Sequence, residues 1–271
     1  MPELPEVETS RLGLTPHVVG RTVEKAIVRQ KRLRQTVSAG VTGTLPGLRI
    51  DALRRRAKYL LFDTAKGTLI VHLGMSGSLR IVQRDEPPMA HDHVDIVLDS
   101  GRAMRFRDPR RFGCFLWTRG DALQHKLLSH LGPEPLSGDF SGERLYALSR
   151  KRRTAVKNFI MDGRIVVGVG NIYASEALFR AGIDPRRQAG RISRARYDKL
   201  AAAIVDVLGA AIVQGGTSLR DFTGQDGQPG YFQQKLNVYG RADGPCVVCK
   251  APLRQQVIGQ RSSFFCTNCQ K

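Results

Sequence analysis

Four of the five cysteines stand in the last stretch of the chain, as Cys246-x2-Cys249 and Cys266-x2-Cys269 with sixteen residues between the pairs. Two knuckles at that separation make a four-thiolate zinc site, and a full thiolate shell leaves no open position, so the metal is structural. A redox pair fits poorly, because nothing around the cysteines reads as a βαβ unit. The segment between the knuckles, Leu253–Phe265, reads as a β-hairpin with Gln260-Arg261-Ser262-Ser263 at its tip. An arginine presented there suits a phosphate. Cys114 lies outside the cluster and reads as a core residue.

The charge balance narrows the partner. Lys and Arg number 43 against 24 Asp and Glu, a formal net charge of +19, spread along the whole of the 271 residues. A folded protein this cationic is matched to a polyanion. Nucleic acid is favoured over anionic membrane, because no strongly basic amphipathic helix stands out. No apolar run is long enough to span a membrane and no signal-peptide pattern opens the chain, so the expectation is a cytoplasmic protein.

The element pattern is α+β. An N-terminal helix is expected to stop around Thr15-Pro16 or Gly20. Eight short β runs follow: Thr22–Arg29, Leu48–Arg54, Tyr59–Asp63, Thr68–Leu73, Ser78–Gln83, Val94–Leu98, Ala103–Arg107 and Cys114–Thr118. Their spacing predicts an antiparallel sandwich. Leu131-Gly132-Pro133-Glu134-Pro135 reads as a linker. Helical periodicity then covers Glu143–Ser149, Thr154–Met161, Ile172–Ala181 and Ser193–Gln214. Gly168-Val169-Gly170-Asn171 would leave backbone N–H groups at a helix start, which suits a phosphate or simply makes a Gly-rich turn. The polar, Gly-containing stretch from Gly215 to Gly230 reads as a mobile element.

At the other end stands Met1-Pro2-Glu3. Removal of Met1, which a small second residue permits, would leave a proline secondary amine. A free α-amine titrates at about 7.7–8.0, so part of it is neutral and nucleophilic near neutrality. Amines attack aldehyde-like carbons to give Schiff bases, and Glu3 supplies an adjacent carboxyl for proton transfer. The same residues also make an ordinary helix start. On their own they leave both readings open.

The combination resembles the formamidopyrimidine-DNA glycosylase family over the whole chain. The motifs that carry the resemblance are Pro2-Glu3-Leu4-Pro5-Glu6-Val7-Glu8-Thr9, Arg56-Ala57-Lys58-Tyr59, His72-Leu73-Gly74-Met75-Ser76-Gly77, Asp108-Pro109-Arg110-Arg111-Phe112-Gly113, Gly168-Val169-Gly170-Asn171-Ile172-Tyr173 and the terminal zinc ribbon. The resemblance implies a catalytic β-sandwich domain over 1–130, a linker at 131–140, a helical DNA-binding domain with a helix–two-turn–helix motif over 141–242, and a zinc ribbon over 243–271.

It also implies a bifunctional repair enzyme that removes 8-oxoguanine and formamidopyrimidines and then nicks the strand by β,δ-elimination. By the resemblance Pro2 is the nucleophile, Glu3 moves protons, Lys58 serves β-elimination and Arg261 serves δ-elimination. Extruding a nucleotide leaves a hole to be filled. Met75, Arg110 and Phe112 match the family's inserted side chains. His91, Arg110 and Arg152 match positions that hold the DNA backbone, with Lys157 and Asn171 as further phosphate candidates. Arg152 replaces what is often Lys. The loop from Thr217 to Tyr231 corresponds to the segment covering the flipped base. One structural zinc on Cys246, Cys249, Cys266 and Cys269, no catalytic metal, and a monomer on double-stranded DNA with the lesion opposite cytosine complete the expectation, in a bacterial cytoplasm beside the nucleoid. An endonuclease VIII-like enzyme for oxidised pyrimidines and a non-catalytic binder of damaged DNA are the alternatives.

Overall fold

A computed structural model describes residues 2–215 and 236–271. The loop expected from Thr217 to Tyr231 lies outside the described residues. Backbone packing divides the chain after His130: one unit is built on Met1–His130, the other on Leu131–Val213 and the described residues that follow the loop.

The first unit starts with helix α1 (Leu4–Val18), which runs through Pro16 and stops just before Gly20, the second of the two expected stops. Proline so near the C-terminus removes one N–H from the last turns and leaves the rest of the ladder intact. After α1 come β1 (Val23–Val28), the short helix α2 (Ala39–Gly43), and strands β2 (Ala52–Arg56), β3 (Tyr59–Thr64), β4 (Gly67–His72), β5 (Ser78–Gln83), β6 (Asp92–Leu98), β7 (Arg102–Arg107) and β8 (Cys114–Thr118). They form two antiparallel four-stranded sheets, ordered β1-β6-β7-β5 and β2-β3-β4-β8. Period-two alternation directs Leu60, Phe62, Leu69 and Val71 of one sheet, and Val94, Ile96, Met104 and Phe106 of the other, into a common core. Phe106 and Phe115 meet there with ring centroids 4.9 Å apart. Val7, Leu14 and Val18 of α1 join the same core.

The second unit has helices α3 (Gly142–Ser149), α4 (Val156–Met161), α5 (Asn171–Arg180) and α6 (Arg194–Val213), then hairpin strands β9 (Arg254–Ile258) and β10 (Arg261–Phe265). α6 packs on α3 and α5, and β10 packs on α5. Packing therefore joins the helical segment and the ribbon, read separately from the sequence, into one body. Gln270 adds a tie by donating to the Ile183 carbonyl at 2.8 Å. The hairpin turns at Gly259 and Gln260, with φ of 55° and 63°, and Ile258 pairs with Arg261. Left-handed backbone at both central residues is the type I′ geometry that matches strand twist. The tip is thus two residues long, and Arg261-Ser262-Ser263, expected in it, open β10 instead. Among the described residues no helix is long and apolar enough to cross a membrane.

Candidate active site and zinc centre

In the first unit, Pro2 and Glu3 are buried at the start of α1. Glu3 is the N-cap: its N–H donates to Glu6 Oε2 at 2.8 Å, and its side chain accepts from the Glu6 N–H. This reciprocal box satisfies helix-end donors and sets both carboxylates at the positive end of the helix. The helix-start reading is therefore realised in detail, and it fixes the Glu3 carboxyl next to Pro2. One turn on, Glu8 accepts from Arg11 at 2.6 Å and from Arg55 Nε at 2.7 Å. Burial pushes the Glu8 pKa up, but those arginines outweigh it and hold the carboxyl below its usual range. Arg55 also donates to the Ala57 carbonyl at 3.0 Å. Ala57-Lys58 is the two-residue turn between β2 and β3, with Ala57 at φ 53°. Glu8 and Arg55 thus strap the helix that carries Pro2 and Glu3 to the turn that carries Lys58.

His72 ends β4, with its ring centroid 4.7 Å from that of Tyr59. Burial first, then the positive charges of Lys58 and Arg34, push its pKa down to about 4. The neutral ring accepts the Gly74 N–H on Nδ1 at 2.9 Å, which leaves the proton on Nε2. Gly74 has φ 71°, and a Cβ there would run into the Phe112 carbonyl carbon. Only glycine lets the turn carrying Met75 lie against the backbone of Phe112 and Gly113. Met75 is half-buried, Phe112 is exposed, and the Arg110 guanidinium sits over the Phe112 ring, 5.0 Å from its centroid. The three side chains that the resemblance assigns to the gap are therefore carried by two loops in contact.

His91 is exposed with φ 74°, and its carbonyl accepts the Asp108 N–H at 3.0 Å. The loop leading to it is fastened from below. Buried Arg105 pairs with Asp95 at 2.9 Å and donates to the Glu86 and Pro87 carbonyls, while Asp92 accepts the Met89 N–H.

The second unit holds the other cations. Arg152 is exposed, with its N–H donating to the Ser149 carbonyl and its own carbonyl accepting from Gly190. Lys157 is fully buried. Its ammonium donates to Asn171 Oδ1 at 2.6 Å, Ser263 Oγ at 2.7 Å and the Ser262 carbonyl at 3.1 Å, and Asn171 Nδ2 also reaches that carbonyl, at 3.0 Å. The lysine expected at a phosphate has its donors directed to protein oxygens. Arg261, next to this knot, is exposed, and its carbonyl accepts from Ser263 Oγ.

The four ribbon cysteines bring their sulfurs within 4.8 Å of one another. A tetrahedral ion with Zn–S near 2.3 Å requires sulfurs about 3.8 Å apart. The Cys246–Cys269 and Cys249–Cys266 separations of 3.9 and 3.4 Å fit that shell. This is a site for one structural zinc.

Sequence reading quoted Asp108 and His72 within motifs but gave neither a role. It passed over Glu176, a buried carboxylate on α5 that accepts the N–H groups of Asn237, Val238 and Tyr239, each at 2.9 Å. A Glu inside an amphipathic helix gives no spacing signal; its partners lie some 60 residues away.

Comparison with known proteins places this geometry. Family models match in order: the formamidopyrimidine-DNA glycosylase N-terminal domain over residues 1–115, the H2TH domain of the same glycosylase over 131–223, and the zinc finger found in FPG and IleRS over 244–271. The formamidopyrimidine-DNA glycosylase of Syntrophotalea carbinolica is 60% identical over 271 residues, covering all of both chains, and that of Stutzerimonas stutzeri is 59% identical with the same coverage. Among solved structures, the MutM (FPG) protein of Thermus thermophilus superposes with a TM-score of 0.90 at 38% identity, covering 99% of this chain and 98% of that one. The Lactococcus lactis Fpg, solved in complex with DNA containing an abasic site, gives 0.92 at 32% identity with full coverage of both. The chain belongs to the formamidopyrimidine-DNA glycosylase family.

Proposed function

We propose that this protein is a bifunctional glycosylase and lyase that excises oxidised purines, 8-oxoguanine and formamidopyrimidines, from duplex DNA and nicks the strand at the site. The observation that carries the reading is the buried Pro2–Glu3 pair at the head of α1, strapped through Glu8 and Arg55 to the Lys58 turn. Related Lactococcus structures hold DNA containing Fapy-dG or an abasic site, which supports the substrate class.

With Met1 removed, the Pro2 secondary amine attacks C1′, the glycosidic bond breaks, and the base departs with a proton. Glu3 moves protons at the sugar. A proton delivered to O4′ then lets the C1′–O4′ bond break, so the sugar ring opens. C1′ becomes an iminium on the Pro2 nitrogen, which acidifies the neighbouring C2′ proton. Its loss expels the 3′ phosphate in β-elimination, which Lys58 serves. A second elimination, served by Arg261, expels the 5′ phosphate. Met75, Arg110 and Phe112 fill the space vacated by the lesion, with Arg110 donating to the orphaned cytosine. His91, Arg152 and Asn171 contact the backbone; Lys157 contributes through Asn171 and the hairpin. The net charge of +19 supplies non-specific attraction to the duplex. The protein acts as a monomer on a lesion opposite cytosine.

The test is borohydride trapping on a duplex with 8-oxoguanine opposite cytosine. Reduction of the iminium should give a covalent protein–DNA adduct, and Pro2→Gly should weaken it severely. Glu3→Gln should bind the duplex and lose base release. Full-strength trapping by protein that retains Met1 would move the nucleophile to a lysine and defeat the reading.

A further inference from the structure

Asp108 opens the loop between β7 and β8 and is fully buried. A carboxylate taken out of water is costly unless its oxygens are collected by donors. Here the donors come from both loops that carry the gap-filling side chains. Oδ1 accepts from the Ser76 hydroxyl at 2.7 Å and lies 3.3 Å from the Arg110 N–H, which Ser76 Oγ also approaches at 3.2 Å. Oδ2 accepts the Gly113 N–H at 2.8 Å. The backbone of the same residue takes the Arg111 N–H and His93 Nε2–H on its carbonyl, and gives its N–H to His91. Ser76 follows Met75 directly and is itself buried. One residue therefore fixes the backbone on either side of Phe112, and its side chain holds the amide of Arg110 and the turn of Met75. Strand pairing does not close the β7–β8 connection, because the two strands belong to different sheets. Nor does it lock that connection to the β4–β5 turn.

We propose that Asp108 is a positioning residue that makes Met75, Arg110 and Phe112 a single preorganised wedge, and through it sets the choice of base opposite the lesion. The inference rests on the gap-filling role proposed above for those three residues. A displacement of about 1 Å in such an array is enough to cost a hundredfold in rate. Selectivity between two opposite bases depends on the donors of Arg110 arriving at a fixed place.

Asp108→Asn keeps the shape but turns one oxygen into an amide nitrogen, setting donor against donor at the N–H of either Gly113 or Arg110. Ser76→Ala cuts only the link to the Met75 turn, and Ser76→Thr retains the hydroxyl. These three, the wild type and Arg110→Ala are compared in single-turnover excision of 8-oxoguanine opposite cytosine and opposite adenine. 2-Aminopurine beside the lesion reports whether the stack is opened. Melting temperature and affinity for undamaged duplex report fold and non-specific binding.

Asp108→Asn and Ser76→Ala should each lower the cytosine-to-adenine ratio about three- to tenfold, the effect of one hydrogen bond lost or opposed. Both should also dim the 2-aminopurine signal, while affinity for undamaged duplex holds within about twofold and Ser76→Thr behaves as wild type. Folded variants that keep both the ratio and the signal would overturn the proposal. If Asp108→Asn does not fold, the Ser76 pair decides by the same readouts. An unchanged ratio in Arg110→Ala defeats the role given to Arg110 under the proposed function. The positioning role is then judged on the 2-aminopurine signal alone, loss supporting it and retention overturning it.

Discussion

Arg110 in the first unit and Arg261 in the second are both exposed, and each is held in place by a buried charge of opposite kind. Asp108 is an acceptor that gathers N–H and O–H groups; Lys157 is a donor that gathers oxygens. The difference lies in what each replaces. Around Asp108 the strands already pair through complete ladders, so the carboxylate adds register between two loops of a finished sandwich. Around Lys157 the hairpin has two strands only, too few to stand alone. Its attachments are the metal shell and contacts such as the ammonium, whose partner Ser263 lies 106 positions along the chain. The first device tunes a site, and the second assembles one.

Breaking the metal shell should have the largest effect. Structural zinc sites in small modules carry about 10–16 kcal/mol of apparent binding energy, so Cys249→Ser should unfold the ribbon and lose zinc while β1–β8 stay folded. Metal analysis combined with hydrogen exchange over residues 254–265 measures this. Retained protection of the hairpin without zinc would mean that the Lys157 knot suffices alone. Next is Lys157→Met, which leaves the Asn171, Ser262 and Ser263 oxygens without their cation. It should cost about 3–5 kcal/mol in the second unit, from the loss of charged hydrogen bonds and the unpaired acceptors left behind. Denaturant unfolding followed separately in the two units would show it; an equal loss in the first unit would mean that Lys157 does not act on the second unit alone.

The first unit should answer to acid through His72, with burial first and then the charges of Lys58 and Arg34 opposing its protonation. Its folded pKa of about 4 lies below the ordinary 6.5. The unfolded chain therefore takes up the proton first as pH falls. Stability from this group is complete above about pH 6.5, drains away down to about pH 4 and is flat below, a loss of about 3 kcal/mol at 1.36 kcal/mol per unit. His72→Gln should flatten that stretch of the pH–stability curve. A wild-type curve with no descent there would show that the ring is charged in the native state.

The smallest effect concerns selectivity. Excision opposite cytosine should exceed that opposite adenine by about ten- to a hundredfold, because the adenine amino group faces the Arg110 donors, a difference of about 1–3 kcal/mol. Arg110→Ala should compress the ratio, whereas Arg152→Ala should weaken both duplexes alike and lower the salt sensitivity. A preserved ratio in Arg110→Ala would show that its exposure serves only the backbone.

Much of this frame was legible in the residues. Ser78–Gln83 and Cys114–Thr118 form strands at the expected bounds, because alternation and flanking turns agree there. The cysteine spacing was sufficient for the metal shell. The short helix α2 was missed: five residues with two glycines carry no period. The hairpin tip was displaced because Gly259-Gln260 adopts left-handed backbone that Gln rarely takes, so only the glycine signalled it. The anchors Asp108, Lys157 and Glu176 were out of reach for another reason. A buried charge is recognised by all its partners, and for each of these at least one lies far off, 32, 106 and 62 positions along the chain.

The β9 strand carries a consequence for handling the protein. In Arg254–Ile258 all but Ile258 are exposed, and β10 lies along one edge only. Held by zinc, the strand is short and begins with a charge, both of which discourage pairing with a neighbour. Once the metal is stripped, Phe264 and Phe265 lose their cover beside Gln255, Gln256 and Val257. A segment of that composition seeks other strands. Chelators, reducing agents that compete for the ion, and histidine-rich tags therefore threaten this protein with aggregation in storage before they threaten its chemistry.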